Sequence, residues 1–472
     1  MQRKAKIVCT IGPASESYIT IEKLARAGMD VARMNFSHGT HEEHAQRIER
    51  VRRASAALGR PLAALQDLPG PKIRTGRLKV ERVWLKEGQE IILTSEAILG
   101  DEHKVSVTLE SLPRDVRRGD SIFVNDGTIR LDVLDTTETE IRCTIVSGGL
   151  LTQMKGINVP GVKLSTEAVT DVDLRHLAFG LDHGIDFVAL SFICNAADVT
   201  RAKEFIRERN ADVPVIAKIE RREALKNIDE IIAAADGVMV ARGDLGVEVP
   251  LQRVPIEQKT IVAKCNAVGK PVIVATQMLE SMVNAPRPTR AEASDVANAI
   301  LDGADAVMLS EETAIGSFPV QAAGMMASIA TEAAAALPYH IIPAQKMETA
   351  ISRPDDAISF AACNIAERLG AAAILAFTTS GSTAMRVAKY RPQCPTLAIT
   401  PNDRILRRLA LVWGLTPHIA SESTSVEQLF EQGIEIVKQV GLAASGDLVV
   451  MTAGVPSGVP GNTNMLKVER IP

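Results

Sequence analysis

The segment Ala217-Lys218-Ile219-Glu220 closes a short apolar run, and the side-chain period of two along a strand turns Lys218 and Glu220 one way and Ile219 the other. Taken alone, such a lysine and glutamate are more often a structural ion pair than a reactive group. Asp244 changes the balance, because it stands just beyond the next apolar run, Gly237 to Ala241. Two carboxylates from neighbouring strand ends, with few other ligands, suit Mg²⁺, which keeps several waters and accepts substrate oxygens. An ammonium beside that ion supplies positive charge to a phosphoryl group in transfer. Gly243 and Gly246 flank Asp244 and let backbone amides approach an anion, although a plain strand-to-loop turn has the same composition.

Strands that deliver such groups to one place need a scaffold. Short apolar runs alternate with amphipathic stretches from the start: KIVCTIG, a helix near Tyr18 to Gly28, VARMNFS, a helix from His41 to Leu58, then PLAALQD. The rhythm resumes with DFVALSF, PVIAKIE, GVMVARG, PVIVATQ and AVMLS. Three runs and five make the count that closes a (β/α)8 TIM barrel, whose catalytic groups sit where strands end. The α/β class is further favoured by 46% apolar residues with only 3% aromatics. The expected barrel spans residues 1–69 and 165–340. Residues 70–164 alternate apolar and polar side chains and read as an inserted antiparallel β-barrel lid domain. Residues 341–472 restart the pattern as a C-terminal open-sheet α/β domain.

Polar residues gather at the expected strand ends: Arg33, Asn35, Ser37 and His38 after strand two, Asp67 after three, Ser191 after four, Thr276 and Gln277 after seven, Ser310 to Glu312 after eight. A net charge of −4 without a basic block excludes the electrostatic footprint of a nucleic-acid or anionic-membrane binder. The six cysteines are scattered without metal-ligand spacing and read as buried thiols in a reducing compartment. Met1 to Lys6 is charged and no apolar run reaches a membrane span, so a cytoplasmic location is expected.

The segments MNFSHG, GPKIRTG, KGINVPG, AKIE, MVARGDLGVE, ATQMLESM and PRPTRAEASDVANAILDGADAVMLS, in this order, resemble the pyruvate kinase family over essentially the whole chain. The resemblance implies transfer of the phosphoryl group of phosphoenolpyruvate to ADP, giving pyruvate and ATP. It implies Glu220 and Asp244 as Mg²⁺ ligands, Lys218 as the cation on the transferring group, and Arg33 on the opposite side of the phosphate. Gly243, Asp244, Thr276 and Ser191 would surround the substrate, and the enolate would take its proton from water or from a hydroxyl near Thr276. His38, Arg74 and Lys155 match nucleotide contacts, and a homotetramer is expected on the same ground.

Asn35, Ser37 and Asp67 correspond to the family's monovalent-cation site, where this chain departs from the commonest pattern. Leu68 stands where many members have a threonine and Lys72 where they have a glutamate. An ammonium there can take the electrostatic role of K⁺, so K⁺ is expected to be dispensable; a Lys72 pointing to solvent is the plain alternative. Glu311, where Gly or Ala is usual, has no functional account. Thr378, Thr379, Ser380, Gly381, Ser382 and Thr383 open a helix after an apolar strand, a place for an anion or a simple N-cap. The resemblance implies a sugar-phosphate or nucleotide effector there, with the loop Gly454 to Asn464 closing over it. Two rival readings remain. A Mg²⁺-dependent lyase acting on pyruvate would not need Arg74 and Lys155, and a metabolite sensor would be expected to have lost Lys218 or Thr276.

Overall fold

The computed structural model describes residues 3–339, 353–423, 425–455 and 462–472. Eight parallel strands close a barrel in chain order: β1 (Lys6–Thr10), β2 (Val31–Asn35), β3 (Ala63–Leu68), β4 (Phe187–Leu190), β5 (Val215–Ile219), β6 (Gly237–Ala241), β7 (Val272–Ala275) and β8 (Ala306–Leu309). The helices between them are started by local chemistry. Thr40, Thr170, Asn195 and Thr289 each accept from the backbone of the residue three on, whose Glu or Asp reaches back to complete a capping box.

The barrel interior is built in layers. Val8, Val31, Leu65, Ala189, Ile216, Met239, Ile273 and Met308 pack together inside the ring, while the intervening Cys9, Ala32, Ala64, Leu190, Ala217, Val240 and Val274 pack outward against the helices. Two residues beyond the apolar layer, the period-two rule brings Thr10, Arg33, Asp67, Ser191 and Lys218 to the same inner side, at the C-terminal mouth. The opposite end is closed by the C-terminal domain, whose Ala410 and Leu411 join the interior cluster.

Between β3 and the helix Asp171–Asp182 lies the inserted domain, with its own core around Ile91, Leu131, Ile141 and Ile145. Its strands form a six-stranded sheet and a separate two-stranded one. This differs from the expected antiparallel β-barrel in its mixed pairing: the isolated bridge between Leu78 and Gly100 is parallel, and Glu90–Thr94 runs parallel to Lys104–Ser106. The chain between them returns to the same end of the sheet before pairing, which no alternation pattern records. The C-terminal domain is a five-stranded sheet in which Leu415–Ile419, Thr396–Thr400, Ala373–Phe377 and Leu448–Gly454 are parallel and Thr463–Arg470 is antiparallel. No helix among the described residues is long and apolar enough to cross a membrane.

Candidate active site

Lys218 occupies the centre of the barrel mouth. Its Nζ lies 2.9 Å from Glu220 Oε1 and 3.1 Å from Asp67 Oδ1, and donates to Ser191 Oγ at 2.6 Å. Ser191 in turn donates to the Leu68 carbonyl at 2.7 Å. Asp67 uses its other oxygen to accept from Arg33 Nε at 2.6 Å, and Arg33 also donates to Thr10 Oγ1 at 2.9 Å. One connected, buried network therefore joins β1 to β5 and alternates in charge: Arg33, Asp67, Lys218, Glu220.

Burial alone would discharge these groups, and the network prevents it. Burial works against the Lys218 ammonium, yet Asp67 and Glu220 override it and raise the lysine above its ordinary value. Burial likewise opposes a charged Asp67, but Lys218 and Arg33 hold that carboxyl below its usual range. Glu220 moves the other way: burial raises it, Lys218 opposes, and the neighbouring charge of Asp244 pushes it further up. A cation brought between Glu220 and Asp244 would relieve both burial and repulsion.

The two carboxylates come from adjacent strands whose register pairs Lys218 with Met239. Glu220 Oε2 accepts the Phe192 amide at 2.7 Å, and Asp244 stands half-buried in the first turn of the helix Arg242–Glu248. Among the described residues no cluster of three or more His, Cys, Asp or Glu side chains could hold a metal. A donor set of two carboxylates leaves the remaining positions to water and substrate oxygens, which fits Mg²⁺ and does not fit a closed Zn²⁺ site.

Thr276 and Gln277, just after β7, have φ of 71° and 55°. A β-branched residue pays for that conformation, and here it aims the hydroxyl across to the next strand end. Thr276 Oγ1 accepts the Gly243 amide at 2.8 Å and donates to its neighbouring Ala275 carbonyl at 2.6 Å. Arg242 fastens the same corner, donating to the Thr276 carbonyl at 2.8 Å and pairing with Asp295 at 2.7 Å.

The lid residues meet one another rather than the barrel. Arg74 bridges to Gly156 in antiparallel register and donates to the Met154 carbonyl at 3.1 Å, while Thr75 and Lys155 exchange two hydrogen bonds. His38 is exposed on the barrel rim. Partial desolvation lowers its pKa, and Arg74, Lys72 and Arg33 lower it further, so these charges converge on one region. Asn35 and Asp67 are register partners on β2 and β3, and Ser37 donates its amide to Asn35 Oδ1 at 3.1 Å. Leu68 is buried. Lys72 is exposed, and among the described residues no ion pair joins it to Asp67, whose oxygens face Arg33 and Lys218.

Glu311 is exposed, whereas its neighbour Glu312 is buried and accepts the amides of Leu279 at 3.1 Å and Ser310 at 2.7 Å. In the C-terminal domain, Thr378, Thr379, Ser380, Ser382 and Thr383 line a cavity of about 270 Å³, and Gly381 (φ 90°) turns the chain into the helix Ser382–Lys389. Residues 456–461 of the loop Gly454 to Asn464 lie outside the described residues.

Sequence reasoning missed Thr10 and Arg221. Thr10 carries the same signal as the others, a polar residue ending a buried strand. Arg221 follows Glu220 directly, is buried, and donates to the Val162 carbonyl, where the chain returns from the lid, at 3.0 Å.

The chain is similar to known proteins along most of its length. Residues 2–323 match the family model described as pyruvate kinase, barrel domain, and residues 356–469 that of pyruvate kinase, alpha/beta domain. The chain is 48% identical to a pyruvate kinase of Geobacillus stearothermophilus, over 100% of this chain and 81% of the relative. It is 46% identical to one of Thermotoga maritima, over 99% and 100%. A crystal structure of a pyruvate kinase from Cryptosporidium parvum superposes with a TM-score of 0.95 at 35% identity, covering 100% of this chain and 97% of that one. With two family models spanning barrel and C-terminal domain, and relatives matched from end to end, this chain belongs to the pyruvate kinase family of phosphotransferases.

Proposed function

We propose that the enzyme carries the phosphoryl group of phosphoenolpyruvate to ADP across Lys218, with Glu220 and Asp244 holding Mg²⁺. The observation that carries this reading is the position of Lys218: a buried ammonium, kept charged by two carboxylates, at the centre of the barrel mouth. Phosphoryl transfer asks for little covalent help and much fixed positive charge. Lys218 supplies it from one side and Arg33, locked by Asp67 and Thr10, from the other. When bound, Mg²⁺ would be held by Glu220 and Asp244 and would supply charge neutralisation to the phosphoryl group in transfer.

Ser191 steers the Lys218 ammonium, and the corner formed by Gly243 and Thr276, whose amide and hydroxyl bond each other, faces the substrate's carboxylate and enolate. The Thr276 hydroxyl already accepts from Gly243 and donates to Ala275. Its own proton is therefore engaged, and a water resting on this hydroxyl is the better route for protonating the enolate. His38, Arg74 and Lys155 hold the nucleotide phosphates, two of them brought by the lid. The hydroxyl-rich cavity beginning at Thr378 takes a phosphorylated effector. A homotetrameric assembly is what the family resemblance implies, and a cytoplasmic setting is the one expected from the sequence.

Leu68 offers no side-chain oxygen to a monovalent ion, and Lys72, exposed and not paired with Asp67, still adds positive charge that is felt at His38. Activity without added K⁺ follows. Both ionic claims are testable in one assay of pyruvate formation, in tetramethylammonium buffer with Mg²⁺ titrated. Wild type is expected to reach full rate without K⁺, and Glu220→Gln and Asp244→Asn to need at least about tenfold more Mg²⁺, as the loss of one of two carboxylates predicts. A strict K⁺ requirement would refute the reading of Lys72; an unchanged Mg²⁺ requirement would refute that of the carboxylates.

A further inference from the structure

Five of the eight histidines, His38, His41, His44, His176 and His183, gather with Phe36 and Phe179 beside the barrel rim, and the site described above uses only His38. His41 opens the helix His41–Leu58 and lies flat on Phe179 at 4.2 Å, while His176 meets Phe36 edge-on at 5.4 Å. The two imidazoles face each other, with His41 Nε2 and His176 Nδ1 2.8 Å apart. At that distance one nitrogen carries a proton and the other accepts it.

His176 belongs to the helix on which the lid is mounted. One turn before it, the buried Asp173 holds both connections between barrel and lid. Gly70, where the chain leaves, donates its amide to Oδ1 at 3.0 Å; Thr170, where it has returned, gives its amide and hydroxyl to Oδ2 at 2.8 and 2.5 Å. On the other side of the pair, His41 follows directly on the loop that carries His38, whose carbonyl accepts from His44 at 2.9 Å. The imidazole pair is therefore a side-chain bond between the nucleotide-side loop and the helix that mounts the lid.

That bond has a definite dependence on protons. One added proton leaves a facing nitrogen bare, so the contact survives as a charge-assisted bond. A second makes both nitrogens donors and sets two like charges 2.8 Å apart. Among the groups facing the pair, Glu42 beside His41 and Asp173 beside His176 favour charge, and Arg175 opposes it. The positive end of the helix that His41 opens opposes it as well. Buried His44 stays uncharged down to about pH 4. Burial, and then His41, lowers the pKa of His176, so the second proton enters only below the ordinary His value of about 6.5.

We propose, on the reading that His38, Arg74 and Lys155 hold the nucleotide, that His41 and His176 are positioning residues which tie the lid's mount to the His38 loop. The tie opens when both imidazoles are protonated, and the grip on ADP loosens in acid. The test is KM for ADP and for phosphoenolpyruvate, measured from about pH 7.5 to about pH 5, on either side of the ordinary His range. In wild type, KM for ADP should rise about threefold more than KM for phosphoenolpyruvate as pH falls, the scale of one lost hydrogen bond. His176→Leu should show the raised KM for ADP already at the upper pH, with no extra rise in acid. His176→Asp should reverse the trend, because a carboxylate pairs better with His41 once that ring is protonated. Thermal melts at each pH show which variants are folded, and His41→Leu should reproduce His176→Leu. Parallel profiles for wild type and the folded variants overturn the proposal, as does an equal rise in both KM values, which marks a merely structural pair. Arg74→Met and Lys155→Met separate the two readings: if neither raises KM for ADP, the nucleotide reading fails and the proposal with it.

Discussion

At the scale of single residues, each buried charge of the proposed site is answered by another. Lys218 is held between Asp67 and Glu220 and Arg33 is held by Asp67, so the cations are fixed before any substrate arrives. Much of this was legible. The period-two spacing of Lys218 and Glu220, and the polar residue ending each buried run, pointed to strand ends that the barrel brings to one mouth. The partners were not legible, because Thr10 meets Arg33, and Ser191 meets Leu68 and Lys218, only once the barrel closes. His44 shows the same dependence. Its ring stacks on Phe36 at 4.0 Å and its Nε2 donates to the His38 carbonyl at 2.9 Å, leaving Nδ1 without a partner among the described residues. Burial drives its pKa down to about 4. The unfolded chain, with an ordinary His value of about 6.5, binds the proton more readily, so this stabilisation is complete above about pH 6.5 and is lost as pH falls toward 4. At most it amounts to about 3 kcal/mol. The thermal midpoint of wild type should fall more steeply between pH 7 and pH 5 than that of His44→Gln; parallel curves would contradict this account.

Among elements, the strand that ends in Glu220 and the chain returning from the lid are joined through Arg221. Its guanidinium donates to the Val162 carbonyl, and its Nε lies 3.6 Å from the buried Glu248, on the same short helix as Asp244. The lid turn at Gly127 rests against Val247 of that helix. The lid's position and Glu220 and Asp244, the proposed Mg²⁺ ligands, thus share their supports. Because Arg74 and Lys155 ride on the lid, Arg221→Met should raise KM for ADP about tenfold, the cost of one lost hydrogen bond to a charged donor, while KM for phosphoenolpyruvate stays within twofold. Arg221→Lys should recover part of the loss. An equal rise in both KM values would show that Arg221 merely supports the fold. The lid itself was legible as alternating strands, but its parallel pair was not, since alternation reports a buried face and says nothing of strand direction.

Across the whole molecule, the C-terminal domain is part of the barrel's closure as well as a neighbour of it. Leu411 fills the interior beneath Val8, Leu65 and Ile216; Lys6 Nζ donates to the Leu415 carbonyl at 2.6 Å; and Arg407 pairs with buried Asp186 at 2.8 Å. None of this was readable in advance, because a leucine in a short apolar stretch looks the same whether it packs within its own domain or 400 residues away in the chain. Leu411→Ala should cost about 2–5 kcal/mol, as a large-to-small change in a dry core does. Calorimetry should show barrel and C-terminal domain, joined in one transition in wild type, separating in the variant; an unaltered transition would contradict the shared core. The central claim is that the ammonium of Lys218 carries the transfer, and it is tested most directly by measuring pyruvate formation from phosphoenolpyruvate, ADP and Mg²⁺ with wild type and Lys218→Met. Wild type should turn over only with all three present, and the variant, shown folded by circular dichroism, should lose about 10³-fold or more in kcat, the scale of removing a preorganised charge. A folded variant that keeps the wild-type rate would contradict the account.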